Sequence, residues 1–270
     1  MSKYKGDVAF KVFAAVFLTA GTVFLLIPIV AMFGRSLDIK GIQNYVTVFQ
    51  EITIGKSLVN SIIVVGATIF ITMMICSLAA YAFSKLQFAG KTVLFVIILM
   101  GIMIPASATL FPVFQITKLV GLRNRLAGLV GPYVTGNAIF GLLLLKIFYD
   151  DLPNELMEAA RIDGASPFQI FAKIYFPISK PGLSILLINT FNGSWNELMT
   201  CITLIDDKSK YTMAVLPYKY KLEVMGQFVN STKWPQIFAC MILCMIPVVI
   251  FYCFAQKMIF GGVAAGAVKG

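Results

Sequence analysis

Glu155-Leu-Met-Glu-Ala-Ala-Arg-Ile-Asp-Gly-Ala-Ser166, running on to Pro177, is the one long water-facing helical stretch in an otherwise oily chain. Asp150 and Asp151 stand just ahead of Pro153. The positive end of a helix dipole favours acidic side chains, and proline lacks only an N–H that the first turn leaves unpaired, so these residues predict a helix start. Leu156, Ala159 and Ala160 recur at i, i+3 and i+4 as a narrow stripe of apolar and small side chains that a partner surface can approach closely. Gly164 is expected to end this helix. Ser166-Pro167-Phe168-Gln169 has the pattern of a capping box with proline at the first helical position, which predicts a second short helix stopping before Pro177.

Around this module the composition is that of a membrane protein. Hydrophobic residues fill 59% of 270 positions and charged residues 13%, the latter about half the share of a soluble domain. The net charge of +10 is scattered, without a basic block of the kind that binds nucleic acid; lysines between spans fit loops at a membrane surface. The chain has no histidine. That excludes histidine-ligated metal sites, Ser-His-Asp triads and histidine proton relays together. Cys76, Cys201, Cys240, Cys244 and Cys253 fall in or beside apolar runs. Cys240 and Cys244 are one helical turn apart, but no further nitrogen or sulfur ligand lies near them in sequence, so they read as buried thiols.

Apolar, nearly charge-free runs lie at 12–34, 57–84, 92–117, 126–145, 181–196 and 234–256. Crossing about 30 Å of hydrocarbon takes about 20 helical residues. Five runs reach that length; the fifth in order, 181–196, is interrupted by Glu197 and resumes through Ile205. Six spans are expected. The stretch from Val12 to Phe33 follows Lys3, Lys5 and Lys11. It is longer than the apolar core of a signal peptide, and so reads as a retained first span. Charge does not orient the spans: alternating sides divide the 22 lysines and arginines evenly, eleven and eleven. Pro105 and Pro112 interrupt the third span, Gly128, Gly131, Pro132, Gly136 and Gly141 loosen the fourth, and Pro247 sits within the sixth. Such residues serve either a water-lined cavity or close helix packing.

Gly55-Lys56-Ser57 and Gly90-Lys91-Thr92 imitate a phosphate-binding loop. That loop needs a further glycine five residues ahead, where this chain has Gln50 and Lys85. Neither is expected to bind ATP. Asn189, Asn192 and Asn196 recur at i, i+3 and i+7 in the fifth span, with Trp195 and Glu197 beside them. A carboxylate at the bilayer centre costs about 2.5–3.5 kcal/mol on insertion scales, so such residues face a bundle interior or a wet cavity. The stripe is therefore a candidate solute pathway, with amides for hydroxyl groups and an indole face; hydrogen bonding between helices is the alternative. Asn60 and Ser61, early in the second span, are weaker candidates of the same kind.

The string Glu158-Ala159-Ala160, then Gly164, Ile174, Phe176 and Pro177 resembles the EAA loop of ABC importer permeases, with Phe176 where that family usually has leucine. Trp195-Asn196-Glu197 and the ending Gly266-Ala-Val-Lys-Gly270 are similar to the carbohydrate-uptake, maltose-permease branch, from about Asn60 onward. The resemblance implies an all-α integral membrane protein of the MetI-like importer fold, with six transmembrane helices and a cytoplasmic coupling-helix loop at 150–177. It divides the chain into a first span and outer loop (1–56), a permease core (57–260) and a cytoplasmic Gly/Ala-rich tail (261–270). Glu158, Ala159, Ala160, Asp163 and Gly164 would form the element that couples to the ATPase. The implied partners are a second permease subunit, expected as a heterodimer, two cytoplasmic ABC ATPase subunits, an extracellular solute-binding protein and membrane lipid, with no nucleic acid. ATP and magnesium would be bound and used by the ATPase subunits, leaving this chain without a cofactor or catalytic residue. The chain would sit in a bacterial-type cell membrane with both termini on the cytoplasmic side. The tail would insert between the ATPases, and the loop at 206–234, with Tyr211, Tyr218, Tyr220 and Phe228, would meet the binding protein or anchor at the interface.

Residues alone leave the cargo open between sugars and other polar solutes such as amino acids or peptides. A secondary transporter would show internal repeats and ionisable groups for ion coupling. No convincing repeat is visible, and Glu197 is the only carboxylate interrupting an apolar span.

Overall fold

The computed structural model describes residues 2–225 and 233–267, with side chains at 10–224 and 233–256. Those residues form helices and turns and no strand. In chain order the helices are α1 (Ser2–Ser36), α2 (Gln43–Glu51), α3 (Ile54–Lys85), α4 (Lys91–Met100), α5 (Ala106–Leu119), α6 (Ala127–Asp150), α7 (Glu155–Ile162), α8 (Pro167–Ile170), α9 (Phe176–Ile178), α10 (Lys180–Trp195), α11 (Met199–Leu204), α12 (Leu216–Met225) and α13 (Trp234–Ala267). Four of them, α1, α3, α6 and α13, are long and apolar enough to cross a membrane. Two bent pairs supply the rest: α4 with α5 across a 104° break, and the 167–178 segment with α10 across a 75° break. Counting each pair once gives the six spans expected.

The breaks follow from local chemistry. Ile104 is extended (φ −84°, ψ 116°) and Pro105 follows it with φ −65° and ψ 136°. Proline's ring crowds the residue before it out of the helical region, so the third span is two helices and not one rod. Pro112 is absorbed inside α5. The fifth span also differs from its apolar run. The helix α10 is 16 residues long and stops at Trp195. At the usual rise per residue that is about 24 Å of helix, short of a full crossing. Asn196–Leu198 are non-helical before α11 resumes.

The chain forms two compact units, Met1–Ile52 with Pro217–Ile246, and Thr53–Leu216 with Pro247–Gly270. In the first, Asn44 ties down the turn after α1 by donating to the carbonyls of Ser36 and Asp38, and the Tyr220 hydroxyl donates to Glu51 at 2.7 Å. Burial, together with that carboxylate, pushes the Tyr220 phenol above its ordinary value.

In the second unit α3 packs along α6, and α10 lies against both. The facing surfaces carry small and polar side chains, among them Ser77, Cys76 and Ala80 of α3. A Cβ on Gly141 would meet Leu186 Cδ1 at 2.7 Å and Cys76 Sγ at 2.8 Å, so this glycine sets how closely three helices approach. Gly128 is equally constrained, since a Cβ there would collide with the Leu122 carbonyl oxygen. Gly131 and Gly136 border open space. The glycines of the fourth span thus divide between close packing and an open face.

None of the five cysteines is in a disulfide: Cys76, Cys201 and Cys240 are buried, Cys244 is half-buried and Cys253 is exposed, unlike the buried thiol expected there. Of the aromatics between α11 and α13, Tyr211 and Tyr220 are buried within their units and Tyr218 is exposed. Phe228 lies outside the described residues. The tail continues α13 to Ala267; residues 268–270, and the side chains beyond 256, are outside those described.

Candidate functional site

The module at 150–177 is built on the end of α6. Asp150 closes that helix, paired with Lys146 at 2.6 Å, and Asp151 is its C-cap. The two aspartates therefore finish α6 instead of starting α7, and Pro153 lies ahead of the next helix and not within its first turn. The first-turn acids of α7 are Glu155 and Glu158. Its N-cap, Asn154, makes no side-chain cap because its Oδ1 accepts from Lys85 Nζ at 2.9 Å.

At the other end the backbone closes as a Schellman motif. The Ala165 N–H donates to the Ala160 carbonyl (2.9 Å) and the Gly164 N–H to that of Arg161 (3.0 Å). This closure needs a residue in the left-handed region. Gly164 supplies it, with φ 78°. The expected capping box is present in full. Gln169 N–H donates to Ser166 Oγ at 3.3 Å, and Ser166 N–H to Gln169 Oε1 at 2.8 Å.

The second helix does not stop before Pro177. α8 opens into a π-helical turn over Phe171–Tyr175, and α9 continues through Pro177. A proline ring collides with the carbonyl four residues back in an α-helix. The wider turn, with Phe176 N–H bonded to Phe171 O, moves that carbonyl away.

One face of the module is sealed against the spans. Met157, Ala160, Ile170, Phe171 and Tyr175 are buried in a core with Tyr81 of α3, Tyr149 of α6 and Leu183 of α10. Tyr175 is the hub: its ring centroid lies 5.2 Å from that of Tyr81 and 5.7 Å from that of Tyr149, the latter edge-on. Glu155, Leu156, Glu158, Ala159, Ile162 and Asp163 are exposed. The expected Leu156–Ala159–Ala160 stripe is thus split. Ala160 serves the protein's own core, whereas Glu158, Ala159, Asp163 and Gly164 remain on the accessible side, with Ile162 87% exposed.

The asparagine stripe lies on α10. Asn189 is half-buried, and Asn192 and Asn196 are exposed and linked, Asn196 Nδ2 donating to Asn192 Oδ1 at 2.8 Å. Trp195 is buried at 5% exposure and stacks on Phe191, which stacks in turn on Phe251. One indole face is therefore already covered. Glu197 Oε2 accepts the Thr200 N–H at 2.9 Å, holding the start of α11. Asn60 is remote from the stripe in its bonding. Its Nδ2 donates to the carbonyls of Ser209 (2.9 Å) and Tyr211 (3.1 Å). The structure therefore groups Asn189, Asn192 and Asn196 on one helix face and leaves Asn60 elsewhere.

Two polar residues were missed. Asn137 of α6 is buried, donates to Ser194 Oγ at 3.3 Å, and sets its Oδ1 2.7 Å from where a Gly193 Cβ would stand. As an amide inside an apolar run it carried the same signal as Asn189. Lys85, 7% exposed, gave no signal beyond ending a span. The lysines of the two Gly-Lys tripeptides lie at helix starts, and Lys91 Nζ donates to the carbonyls of Leu86 (2.8 Å) and Ser84 (3.3 Å).

Comparison with known proteins agrees with this architecture. Residues 73–264 match the model of the family described as binding-protein-dependent transport system inner membrane component. The probable ABC transporter permease protein YurM of Bacillus subtilis is 30% identical over 279 residues, covering 99% of this chain and 90% of its own. The trehalose transport system permease protein SugB of Mycobacterium tuberculosis is 32% identical, with 84% and 82% covered. The trehalose/maltose transport system permease protein MalG of Thermococcus litoralis is 31% identical, with 85% and 81% covered. In fold, the chain is similar to a chain of a bacterial ABC transporter that imports the acidic polysaccharide alginate, with TM-score 0.76, 23% identity, and 93% and 97% of the two chains covered. Six apolar spans interrupted by a helix–turn–helix with one accessible face, together with these matches, place the chain in the family of binding-protein-dependent transport system inner membrane components, as a multi-pass permease subunit of an ABC importer.

Proposed function

We propose that this permease forms half of the translocation pathway for a sugar or oligosaccharide handed over by an extracellular binding protein. The observation that carries the mechanism is the divided module. Its inner face is fused to three spans through the tyrosine core, while Glu155, Glu158, Ala159 and Ile162 stay accessible. Such a rigid knob suits a groove on a separate ATPase, with Glu158, Ala159, Asp163 and Gly164 at the contact and Ala160 closing the turn beneath it. Two ATPase subunits bind ATP and magnesium and do the hydrolysis, and a second permease subunit of different sequence completes the pathway. The module is cytoplasmic, as are both termini. Asn189, Asn192 and Asn196 line the path, their amides supplying the paired donors and acceptors that sugar hydroxyls require. Trp195, stacked on Phe191, and Glu197, which holds the start of α11, act one layer behind. The sugar class is supported by the names of the trehalose, maltose and diacetylchitobiose permeases that this chain is similar to.

Isolation of the tagged chain from its native membrane, followed by reconstitution, tests this. An ATPase and a second permease should co-purify, and vesicles should take up a labelled sugar only with ATP and binding protein present. Sugar flux by this chain alone down an ion gradient would refute it.

A further inference from the structure

We propose that α3 is a transmission rod latched at both ends, with Lys85 as the positioning residue at the coupling module and Asn60 at the opposite end. The proposal rests on the permease function above. It adds a second mechanical route to the covalent one through α6.

The inner latch is specific. α7 joins α6 through Asp151-Leu152-Pro153-Asn154, four residues outside any helix. Lys85, the last residue of α3, reaches into that joint. Its ammonium donates to the Leu152 carbonyl at 2.7 Å and to Asn154 Oδ1 at 2.9 Å, and lies 5.7 Å from the Tyr175 ring centroid. Charge-assisted hydrogen bonds of this kind are about twice as strong as neutral ones. A buried ammonium is a costly way to fill space, since an apolar side chain of similar volume often packs as well or better. What it supplies here is a fixed length between one span and the base of the coupling helix. Any tilt of α7 that moves Asn154 must stretch this latch or carry α3 with it.

The rod itself is continuous. The helix α3 runs unbroken for 32 residues. At the usual rise per residue that is about 48 Å, more than a bilayer's hydrocarbon thickness. Of the four long helices it alone contains no proline; α1 has Pro28, α6 Pro132 and α13 Pro247. Proline is the commonest origin of a sharp helix kink, and α3 has none within it.

The outer latch lies about seven turns away. Asn60 donates through its amide nitrogen to the carbonyls of Ser209 and Tyr211, and Ser61 Oγ accepts the Met213 N–H at 2.8 Å. The same segment rests on Asn124, whose Oδ1 accepts from the N–H groups of Asp206 and Asp207. Displacement of α3 along its axis therefore reaches the segment that follows α10 and α11, at the end of α3 opposite the coupling module.

The test uses the assembled transporter with its ATPases, second permease and binding protein in vesicles, and reads solute moved per ATP hydrolysed. Lys85→Met should lower that ratio by about 2- to 30-fold, the range for changes along a coupling route, while hydrolysis itself changes less than the ratio. Lys85→Arg, which keeps the charge and donors, should recover at least half of the loss. Asn154→Ala removes one arm of the latch at an exposed position that makes no cap, and Asn60→Ala removes two of the three hydrogen bonds at the far end; both should move the ratio the same way even if Lys85→Met assembles poorly. An unchanged ratio in Asn154→Ala and Asn60→Ala, or uptake and hydrolysis falling together in Lys85→Met, would overturn the rod. Failure of the unaltered assembly to couple at all would instead overturn the permease function.

Discussion

Replacing Gly164 separates two accounts of why the coupling turn carries glycine. One is steric: a side chain there blocks the turn. The structure opposes it, because a Cβ built at Gly164 has no atom within 4 Å. The other is backbone strain. The positive φ of this residue would hold any L-residue in the left-handed region, which costs about 1–2 kcal/mol. That corresponds to a shift of about 5- to 30-fold in the population of the closed turn. The Schellman bonds from Gly164 and Ala165 to Arg161 and Ala160 are what open. Asparagine tolerates this region better than alanine, although it is larger. Backbone strain therefore predicts that Gly164→Ala is worse than Gly164→Asn, and steric block predicts the reverse. Hydrogen exchange at Ala165 in the assembled transporter should quicken by about 5- to 30-fold in Gly164→Ala and by less in Gly164→Asn, with ATP-driven uptake falling in the same order. Greater damage from asparagine would refute the reasoning.

Four further outcomes are expected. Gly141→Ala should destabilise the bundle by about 1–3 kcal/mol through overpacking, read as a lower melting temperature of the purified chain, with partial recovery in the Cys76→Ala background that clears one of the two contacts. Ser166→Ala should cost about 0.5–2 kcal/mol of local stability, seen as faster exchange of the Gln169 amide that its Oγ accepts. Asn192→Ala with Asn196→Ala should depress sugar uptake while leaving binding-protein-stimulated ATP hydrolysis in place; unaltered uptake would make the stripe helix glue. Hydrogen bonds from the Ser209 hydroxyl and N–H, then Lys210, hold the Asp207 carboxyl below its ordinary value of 3.8. A depressed carboxylate stabilises above its unfolded pKa, so protection of the Ser209 amide should persist at neutral pH and be lost as pH falls through the lowered folded value.

The periodicity of apolar runs was enough to place six spans, because hydrocarbon length and helix rise leave few alternatives. The capping box and Gly164 were legible for a similar reason: each is a local rule satisfied within four residues. What the sequence could not reveal was orientation around a helix axis. Ala159 and Ala160 are neighbours in the string, yet one faces out and the other packs into the core with Met157, a core to which Tyr81 of α3 and Leu183 of α10 come from other parts of the chain. The Asp150–Asp151 pair misled because the same acids that favour a helix start also close α6, where Lys146 neutralises Asp150. For Asn60, a polar amide early in a span advertises a partner without identifying it. The partners turned out to be carbonyls far along the chain, of Ser209 and Tyr211.

The π-helical turn at Phe171–Tyr175 makes the length of its segment as informative as its chemistry. Such a turn houses one residue more than the α-helix it interrupts. Removing a single residue between 171 and 175 would let the helix rewind to α-helical pitch with the residues after it kept on their faces. Pro177 would then meet the carbonyl four residues back that the wider turn holds away, with every side chain of the tyrosine core still present. Counting errors here should be more damaging than spelling errors.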